Sequence, residues 1–504
     1  MSSKHPPAYK DCYNKYFEQP GMVCHAPTYF IEISSAKEQP VLTKVQDITS
    51  PMTSSEKRAT WSLASIYALR MLGLFLIMPV LSLFAEQLEG STPSLIGMAI
   101  GVYGISQAIL QIPFGLMSDR FGRKKIIIIG LILFLIGSVV AALSTSIYGV
   151  LLGRAIQGSG AIAAPIMALV ADLTQEVHRT KAMALIGLSI GVSFGVAIVA
   201  GPVIAGFIGV HGIFWLIAGL SLVAIWVIRY QVPDPHKSKT HRDAELVPGQ
   251  FFNILKNPDL LRLNYGIFIL HAILTASFVV VPLLMRDAGL LPAEHWKVYL
   301  PVFVVSMAAI IPFIILAEKK RKMKPVFIGA IAALVCADLG LMQFHGILPG
   351  IVGFLWLFFT GFNLLEATLP SLISKTAPGD LRGTAMGIYS TCQFLGAGIG
   401  GGVGGWCYGE YGAPGVFIFC AAAAASWLLL SLGMKPPRYW ANLLISLENI
   451  SEPEANDFVA DMLKITGVEE ITLHYDEAVA YLKVDNQQLD KNQLQALITR
   501  YLNT

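Results

Sequence analysis

Twelve apolar stretches, each long enough to cross a lipid bilayer, constrain this chain more than any other feature of its sequence. A membrane-crossing helix needs roughly 20 consecutive and mostly apolar residues. Of the 504 residues, 54% are hydrophobic and 14% are charged, which is too little charge for the surface of a soluble protein. We therefore predict an all-α polytopic membrane protein with twelve transmembrane helices. These predicted helices, called spans 1 to 12, are residues 61–84, 93–117, 126–144, 147–170, 182–208, 211–229, 262–285, 297–317, 325–343, 349–374, 383–408 and 412–433.

Cationic residues are concentrated in every second loop, after spans 2, 4, 6, 8 and 10. The intervening loops are short and poor in cations. The positive-inside rule places the cation-rich loops, and with them both chain termini, on the cytoplasmic side. We therefore predict a multi-pass protein of the cell inner membrane with both termini in the cytoplasm.

The spans divide into two sets of six around one long loop, and a short repeat relates the two sets. The sequence RTKAMALIG begins at Arg179 after span 4, and RGTAMGIYS begins at Arg382 after span 10. Pseudo-symmetric halves of this kind are typical of transporters whose substrate site lies between the halves. The predicted domains are a disordered N-terminal tail (1–55), an N-terminal six-helix half (56–230), a cytoplasmic linker (231–261), a C-terminal six-helix half (262–434), and a linker followed by a small cytoplasmic domain (435–504).

The C-terminal segment differs from the rest in charge and in pattern. Residues 440–504 contain 11 acidic residues and four Lys or Arg. Short β-type runs and amphipathic helical runs alternate in the order β-α-β-β-α, which predicts a small α+β domain of the ferredoxin-like type. It contains no cysteine, so we expect an assembly or regulatory role rather than metal transfer.

The cation-rich loop after span 2 has a spacing that topology alone does not explain. It lies in the sequence GLMSDRFGRKK at 115–125, and its candidate switch residues are Gly115, Asp119, Arg120, Gly122, Arg123 and Lys124. A carboxylate at the end of a membrane helix is costly unless a positive group faces it. For Asp119 that group is either Arg123 or the N-terminal end of another helix.

This spacing resembles motif A of the major facilitator superfamily. LLGRAIQGSGAIAA (151–164), with Arg154 and Gly158, resembles motif B of that family. GVAIVAGPVIAG (195–206) resembles motif C of its drug:proton antiporters, although Ala205 stands where glycine is usual. The candidate motif C residues are Gly195, Gly201, Pro202 and Gly206. The resemblance covers roughly residues 56–434, and the twelve spans with a ferredoxin-like tail are similar to one subgroup of the superfamily.

The resemblance implies roles for several of these residues. Asp119 is expected to face the N-terminal end of span 11 near Gly383, and Arg123 is expected to pair with Asp172 at the end of span 4. Together these contacts would hold the outward-facing state and be released during the switch. The resemblance also links Arg154 to proton coupling.

Ionisable and amide side chains inside the spans are the candidate proton or substrate groups, because such residues are rare within membranes. The candidates are Arg70, His271, Asn363 and Glu366. Glu366 ranks first, and His271 ranks second because histidine titrates near neutral pH. The alternative for each group is a structural pairing with another side chain or a backbone carbonyl, which we expect for Asp338.

We predict a secondary active transporter that exports a small molecule in exchange for protons by alternating access. The alternatives are a proton symporter or facilitator for uptake, and a transporter-like sensor with residues 435–504 as its output. We predict no enzymatic activity, cofactor or metal site. The sequences GLSIG (187–191) and GAGIGG (396–401) match enzyme motifs, but no strand precedes either of them.

The predicted partners are a small-molecule substrate, protons and the lipid bilayer, with no nucleic acid. We expect a monomeric membrane body and leave open an oligomer formed through the C-terminal domain.

Overall fold

We analysed a computed structural model of the full chain. It divides into two compact units, a membrane body (Pro51–Arg438) and a domain formed by Met1–Ser50 with Tyr439–Thr504. The structure describes residues 28–31, 52–174, 176–234, 256–377, 382–434, 441–446, 452–474, 479–485 and 488–502. Most of the predicted linker 231–261 lies outside these residues.

The N-terminal half begins with helices whose first residues are typical helix starts. Thr53 caps the first helix, and Glu56 reaches back to the Thr53 backbone to complete a capping box. Thr92 caps span 2 immediately before Pro93, which suits the first helical position. The membrane-length elements of this half are Ser54–Ala85, Pro93–Phe121, Arg123–Leu143, Ile147–Leu173 and Lys181–Tyr230.

The C-terminal half follows the same plan. Asn257 caps span 7 by accepting hydrogen bonds from the backbone N–H groups of Asp259 and Leu260. The membrane-length elements are Pro258–Asp287, Pro292–Glu318, Met323–Phe344, Leu348–Thr376 and Gly383–Leu432.

Two of these ten elements are 50 residues long, and each turns at a glycine. Gly209 separates spans 5 and 6 with φ 68°, and Gly412 separates spans 11 and 12 with φ 65°. Positive φ strains most side chains but not glycine. The ten elements therefore make twelve crossings, which confirms the predicted fold class. The two glycines are 203 residues apart (209 to 412), as are Arg179 and Arg382 of the sequence repeat (179 to 382).

Two spans are interrupted within the membrane body. Span 1 consists of the helices Ser54–Leu76 and Met78–Ala85, with Pro79 in the first turn of the second helix. Span 4 consists of Ile147–Ser159 and Ala163–Leu173, and Gly160 ends the first of them. Large apolar side chains such as Phe207, Leu143 and Leu429 are exposed on the outer surface, as a bilayer requires.

The second unit contains a four-stranded sheet of order β1-β2-β4-β3. The strands are β1 (Thr28–Ile31), β2 (Ala441–Ser446), β3 (Val468–His474) and β4 (Val479–Val484). β2, β4 and β3 pair antiparallel, and the helices Glu452–Met462 and Lys491–Leu502 give the predicted β-α-β-β-α order. Phe458, Met462, Leu482 and Ile498 are among its buried core residues.

β1 departs from the expectation for the N-terminal tail. Residues 1–55 were predicted to be disordered, but Thr28–Ile31 forms a strand that pairs parallel to β2, with Thr28 opposite Asn442. In a complete ferredoxin-like sheet, the last strand of the domain would occupy this edge. This strand was not predicted because a strand of four residues, more than 400 residues from its partner, has no local signal for the pairing. The other residues of the predicted tail up to 51 lie outside the described residues.

Candidate functional site

The two halves of the membrane body meet where spans 2 and 11 pack without side chains between them. A Cβ on Gly97 would collide with the carbonyl oxygen of Gly401, and a Cβ on Gly405 would lie 2.5 Å from the carbonyl oxygen of Pro93. Helices approach this closely only through small residues. The glycines of this contact, called here the glycine seam, are Gly97, Gly101, Gly104, Gly398, Gly401 and Gly405.

An aromatic cluster joins the halves beside the seam. The ring of Phe194 on span 5 lies 5.0 Å from Phe75 on span 1, measured between ring centroids. The same ring lies 6.0 Å from Phe303 and 6.1 Å from Phe362 in the other half. The cluster therefore forms a hydrophobic contact between spans 1 and 5 and spans 8 and 10.

The motif C residues lie along this same contact. A Cβ on Gly195 would lie 2.5 Å from the ring of Phe303, and one on Gly206 would lie 2.9 Å from Ala293. A Cβ on Gly201 would lie 2.5 Å from the carbonyl oxygen of Leu76, and Pro202 lies inside the helix. The glycines let span 5 approach both span 1 and the C-terminal half.

Three polar side chains converge in the C-terminal half, from spans 7, 10 and 11. The Gln393 amide nitrogen lies 2.9 Å from His271 Nε2 and donates to Glu366 Oε1 at 3.3 Å. His271 Nδ1 lies 3.3 Å from the Ile267 carbonyl oxygen, so we assign the ring proton to Nδ1 and leave Nε2 as an acceptor. His271 Nε2 and Glu366 Oε2 are 3.9 Å apart. We call these three residues the carboxyl cluster.

Glu366 faces spans 7 and 11 yet keeps 34% of its side chain exposed, whereas His271 keeps 13%. The Gln393 amide therefore holds one carboxyl oxygen, Oε1, while Oε2 is buried with no hydrogen-bond partner among the described residues. Among the other C-terminal candidates, Asn363 donates to Ser306 Oγ at 3.3 Å, which joins span 10 to span 8. The sequence nominated His271 and Glu366 separately, and it gave no signal that Gln393 lies between them.

The surroundings of Asp338 on span 9 differ from the predicted ones. We expected a structural pairing, but neither carboxyl oxygen has a hydrogen-bond partner among the described residues, and the side chain is fully buried. A carboxylate buried without partners is unfavourable, so a structural pairing does not account for Asp338.

Two guanidinium groups, those of Arg70 and Arg154, are buried inside spans of the N-terminal half. Arg70 donates to Gln107 Oε1 and lies over the ring of Phe134. Arg154 donates to the Ala99 carbonyl oxygen at 3.3 Å and to Gln157 Oε1 at 3.0 Å. Beside it, a Cβ on Gly158 would collide with the Tyr103 backbone, so spans 2 and 4 pack closely at motif B.

The motif A residues form a compact ionic network at the ends of spans 2, 3 and 4. Arg123 pairs with Asp119 one turn earlier and donates from Nε to Asp172 Oδ2 at 3.3 Å. Arg123 Nη1 also donates to Ser118 Oγ at 3.0 Å. Gly122, with φ 100°, ends span 2 and allows span 3 to start at the next residue. Gly115 supplies the carbonyl oxygen that accepts from Ser118 Oγ at 2.7 Å.

The remaining motif A cations lie at the surface of the same network. Lys124 donates to the Val232 carbonyl oxygen and to Asp234, which holds the pKa of Asp234 below its usual value. Arg120 lies over the ring of Phe121. Within the part of the chain that the structure describes, no hydrogen bond or ion pair joins Asp119 to Gly383.

Two contacts that the sequence did not predict link distant helix ends. His178 Nδ1 lies 3.1 Å from Glu56 Oε1, and both side chains are buried. Arg286 at the end of span 7 pairs with Glu86 at the end of span 1, which joins the two halves. Each contact brings together residues more than 100 positions apart, so local sequence patterns give no signal for it.

A twelve-span body of two pseudo-symmetric halves that meet at glycine-rich helices, with polar clusters inside each half, defines a secondary transporter. The family model of the Major Facilitator Superfamily matches residues 63–401 and 354–451, and the chain belongs to this superfamily. Within it, the chain belongs to the YajR subgroup. It is 46% identical over 452 residues to the inner membrane transport protein YajR of Escherichia coli (strain K12), covering 89% of this chain and 98% of that protein.

More distant relatives share the same architecture. The chain is 27% identical over 358 residues to multidrug resistance protein 2 of Bacillus subtilis (strain 168), covering 66% of this chain and 84% of that protein. A solved structure of a D-xylose-proton symporter superposes with a TM-score of 0.62 at 15% identity, covering 76% of this chain and 99% of that one. That likeness shows the fold alone.

Proposed function

We propose that this transporter exports a small molecule across the inner membrane in exchange for protons, with Glu366 as the proton-carrying group. The observation that carries the proposal is the carboxyl cluster, in which Gln393 bonds to both His271 and Glu366. An intramembrane ionisable residue marks a proton or substrate pathway more often than a structural contact.

The cluster provides one shared position for a proton. A proton on Glu366 makes the carboxyl neutral, which lowers the cost of enclosing it away from water. When the proton leaves, the carboxylate accepts from Gln393 and can pair with a protonated His271 or with a cationic substrate group 3 to 4 Å away. Proton and substrate would then compete for one carboxylate, which is the requirement for antiport.

In alternating access, one end of the membrane body would open while the other end closes. In this conformation the glycine seam and the Glu86–Arg286 pair hold one end closed. Asp119 at the other end pairs with Arg123 of its own half. We propose that the outward-facing state opens the seam and brings Asp119 to the N-terminal end of span 11 near Gly383, where the helix dipole favours an anion. Asp119→Asn would then disfavour the outward state.

The direction of transport relative to the cytoplasm rests on the positive-inside orientation of the cation-rich loops. Multidrug resistance protein 2 belongs to the relatives of this chain, which supports export as the direction. The motif C glycines at the contact between the halves support antiport further.

Proteoliposomes with the full-length protein and an enclosed pH dye test the proposal. Candidate molecules, including ethidium, tetracycline, xylose and benzoate, are added outside while internal pH is recorded. Antiport predicts that a transported compound, on entering, drives protons out and raises internal pH. Acidification upon uptake would instead establish symport, and uptake without any pH change would establish a facilitator.

A further inference from the structure

Charge is segregated between the interiors of the two halves. In the N-terminal half, Arg70 and Arg154 lie inside spans, whereas every acidic residue of positions 52–234 lies near a helix end. These acidic residues are Glu56, Glu86, Glu89, Asp119, Asp172, Glu176 and Asp234. In the C-terminal half the interior groups are instead the carboxyls Asp338 and Glu366. The N-terminal half therefore contains two interior cations without an interior counter-ion.

The two cations differ in how well the protein satisfies them. Arg154 bonds to the Ala99 carbonyl oxygen and to Gln157, and Gln157 in turn donates to Ser138 at 2.8 Å. Arg70 is only 2% exposed, and among the described residues its one hydrogen bond runs from Nη2 to Gln107. Its Nε and Nη1 atoms have no hydrogen-bond partner among the described residues.

Further unsatisfied polar atoms lie along span 2, on the helix face that carries Gln107. They are the Tyr103 hydroxyl, the Gln107 amide nitrogen and the Gln111 amide oxygen. Residues 103, 107 and 111 are spaced by four, so their side chains lie in one row. Tyr103 stands beside Arg154 and Gln107 contacts Arg70, so the row runs past both cations.

Donors are in excess at this position. Arg70 Nε, Arg70 Nη1, the Gln107 amide nitrogen and the Tyr103 hydroxyl can all donate, whereas only the Gln111 amide oxygen and the Tyr103 hydroxyl oxygen can accept. Buried donors without acceptors are unfavourable, and a buried cation without a counter-ion is more so. The Phe134 ring compensates only part of the charge of Arg70. An anion is the one kind of ligand that supplies both the acceptors and the charge.

We propose that Arg70, with Gln107 and Tyr103, binds an anionic group inside the N-terminal half. The ligand chemistry is a small oxyanion or halide, either the carboxylate or phosphate of the transported molecule or a resident inorganic anion. Where the substrate supplies it, this inference rests on the proposed function and adds that the substrate is anionic at one end.

Thermal unfolding of the purified full-length protein tests the site without any pH gradient. Chloride, phosphate, acetate and benzoate are titrated separately against a HEPES background of equal ionic strength. At least one is expected to raise the unfolding midpoint saturably. In Arg70→Gln the half-saturating concentration of that anion should rise by about tenfold or more, because a charge-assisted contact is lost.

Arg70→Lys keeps the charge but changes the donor geometry. Its half-saturating anion concentration is expected to lie between that of the wild type and that of Arg70→Gln. Arg262→Gln, in which an arginine paired with Asp259 near a helix end is changed, is the matched control and should bind as the wild type does. Stabilisation by chloride alone identifies a resident inorganic anion, and stabilisation by carboxylates or phosphate identifies the class of the substrate group. Absence of saturable stabilisation by any of the four, or unchanged affinity in Arg70→Gln, overturns the proposal. Neither result depends on whether protons are coupled to transport.

Discussion

The side-chain amide of Gln393 lies 2.9 Å from the ring nitrogen Nε2 of His271, which joins span 11 to span 7 inside the C-terminal half. The same amide donates to Glu366 on span 10. Gln393 therefore holds the histidine and the carboxyl group within 3.9 Å of each other. The proposed proton position depends on an amide that does not itself titrate.

Gln393→Leu keeps much of the side-chain volume and removes both hydrogen bonds. A hydrogen bond to a charged group contributes about 1.5–3 kcal/mol, and 1.4 kcal/mol corresponds to a factor of ten. We expect proton-coupled flux to fall by roughly tenfold or more, measured as the rate of the internal pH change in proteoliposomes. Thr360→Val, which removes a hydroxyl that bonds within its own helix on an exposed face of span 10, is the control. A wild-type rate in Gln393→Leu would remove the amide from the mechanism.

Asp172→Asn removes the buried charge that faces Arg123. The side chains of Arg123 and Asp172 are 2% and 0% exposed, so the variant leaves a buried cation with less compensation. We expect the free energy of unfolding to fall by about 3–5 kcal/mol, measured by denaturant titration in detergent. Asp234→Asn breaks the pair with Lys124, in which Asp234 is 86% exposed, and should cost at most about 1 kcal/mol. Equal effects of the two substitutions would contradict the burial-based account.

Gly401→Val places a branched side chain in the glycine seam. Its Cβ would lie 2.6 Å from the Gly97 carbonyl oxygen, so spans 2 and 11 must separate. We expect this end of the body to open, seen as a longer distance between spin labels on Gln87 and Leu291, exposed positions in opposite halves. Gly402→Val on the same helix meets nothing within 4 Å and should leave the distance unchanged. If Gly401→Val keeps the wild-type distance, the seam does not hold the halves closed.

Deletion of residues 1–50 removes β1 and exposes the edge of β2. The pairing joins Thr28–Ile31 to Asn442–Ile445 in the parallel register. Hydrogen exchange at the β2 amides that face β1 should accelerate, whereas β3, on the far edge of the sheet, should keep its protection. Unchanged exchange throughout β2 would show that β1 does not cover this edge in solution.

The sequence was sufficient for features that follow from local pattern. The length of the apolar stretches was enough to predict the membrane helices. The predicted breaks between spans 5 and 6 and between spans 11 and 12 fall within a few residues of Gly209 and Gly412. The order of strands and helices after residue 440 also followed from periodicity.

Features that depend on contacts between distant segments could not be predicted from the sequence. The strand at Thr28–Ile31, the Glu86–Arg286 pair and the place of Gln393 between His271 and Glu366 each require the fold before the partners are known. Asp338 was misjudged for the same reason, since its missing partners become visible only once the surrounding side chains are placed.

Glu366→Gln isolates the role of Glu366 as the carrier of the coupling proton. The glutamine keeps the size and the polar contact with Gln393 but cannot release a proton. With a transported compound in hand, the measurement compares uptake driven by a pH gradient with exchange of labelled for unlabelled compound at equal pH, in the same proteoliposomes. We expect the pH-driven component to be lost while exchange persists, and we expect Glu410→Gln, which changes an exposed carboxylate on span 11, to retain both components. Uptake by Glu366→Gln that still follows the pH gradient would show that another group carries the coupling proton.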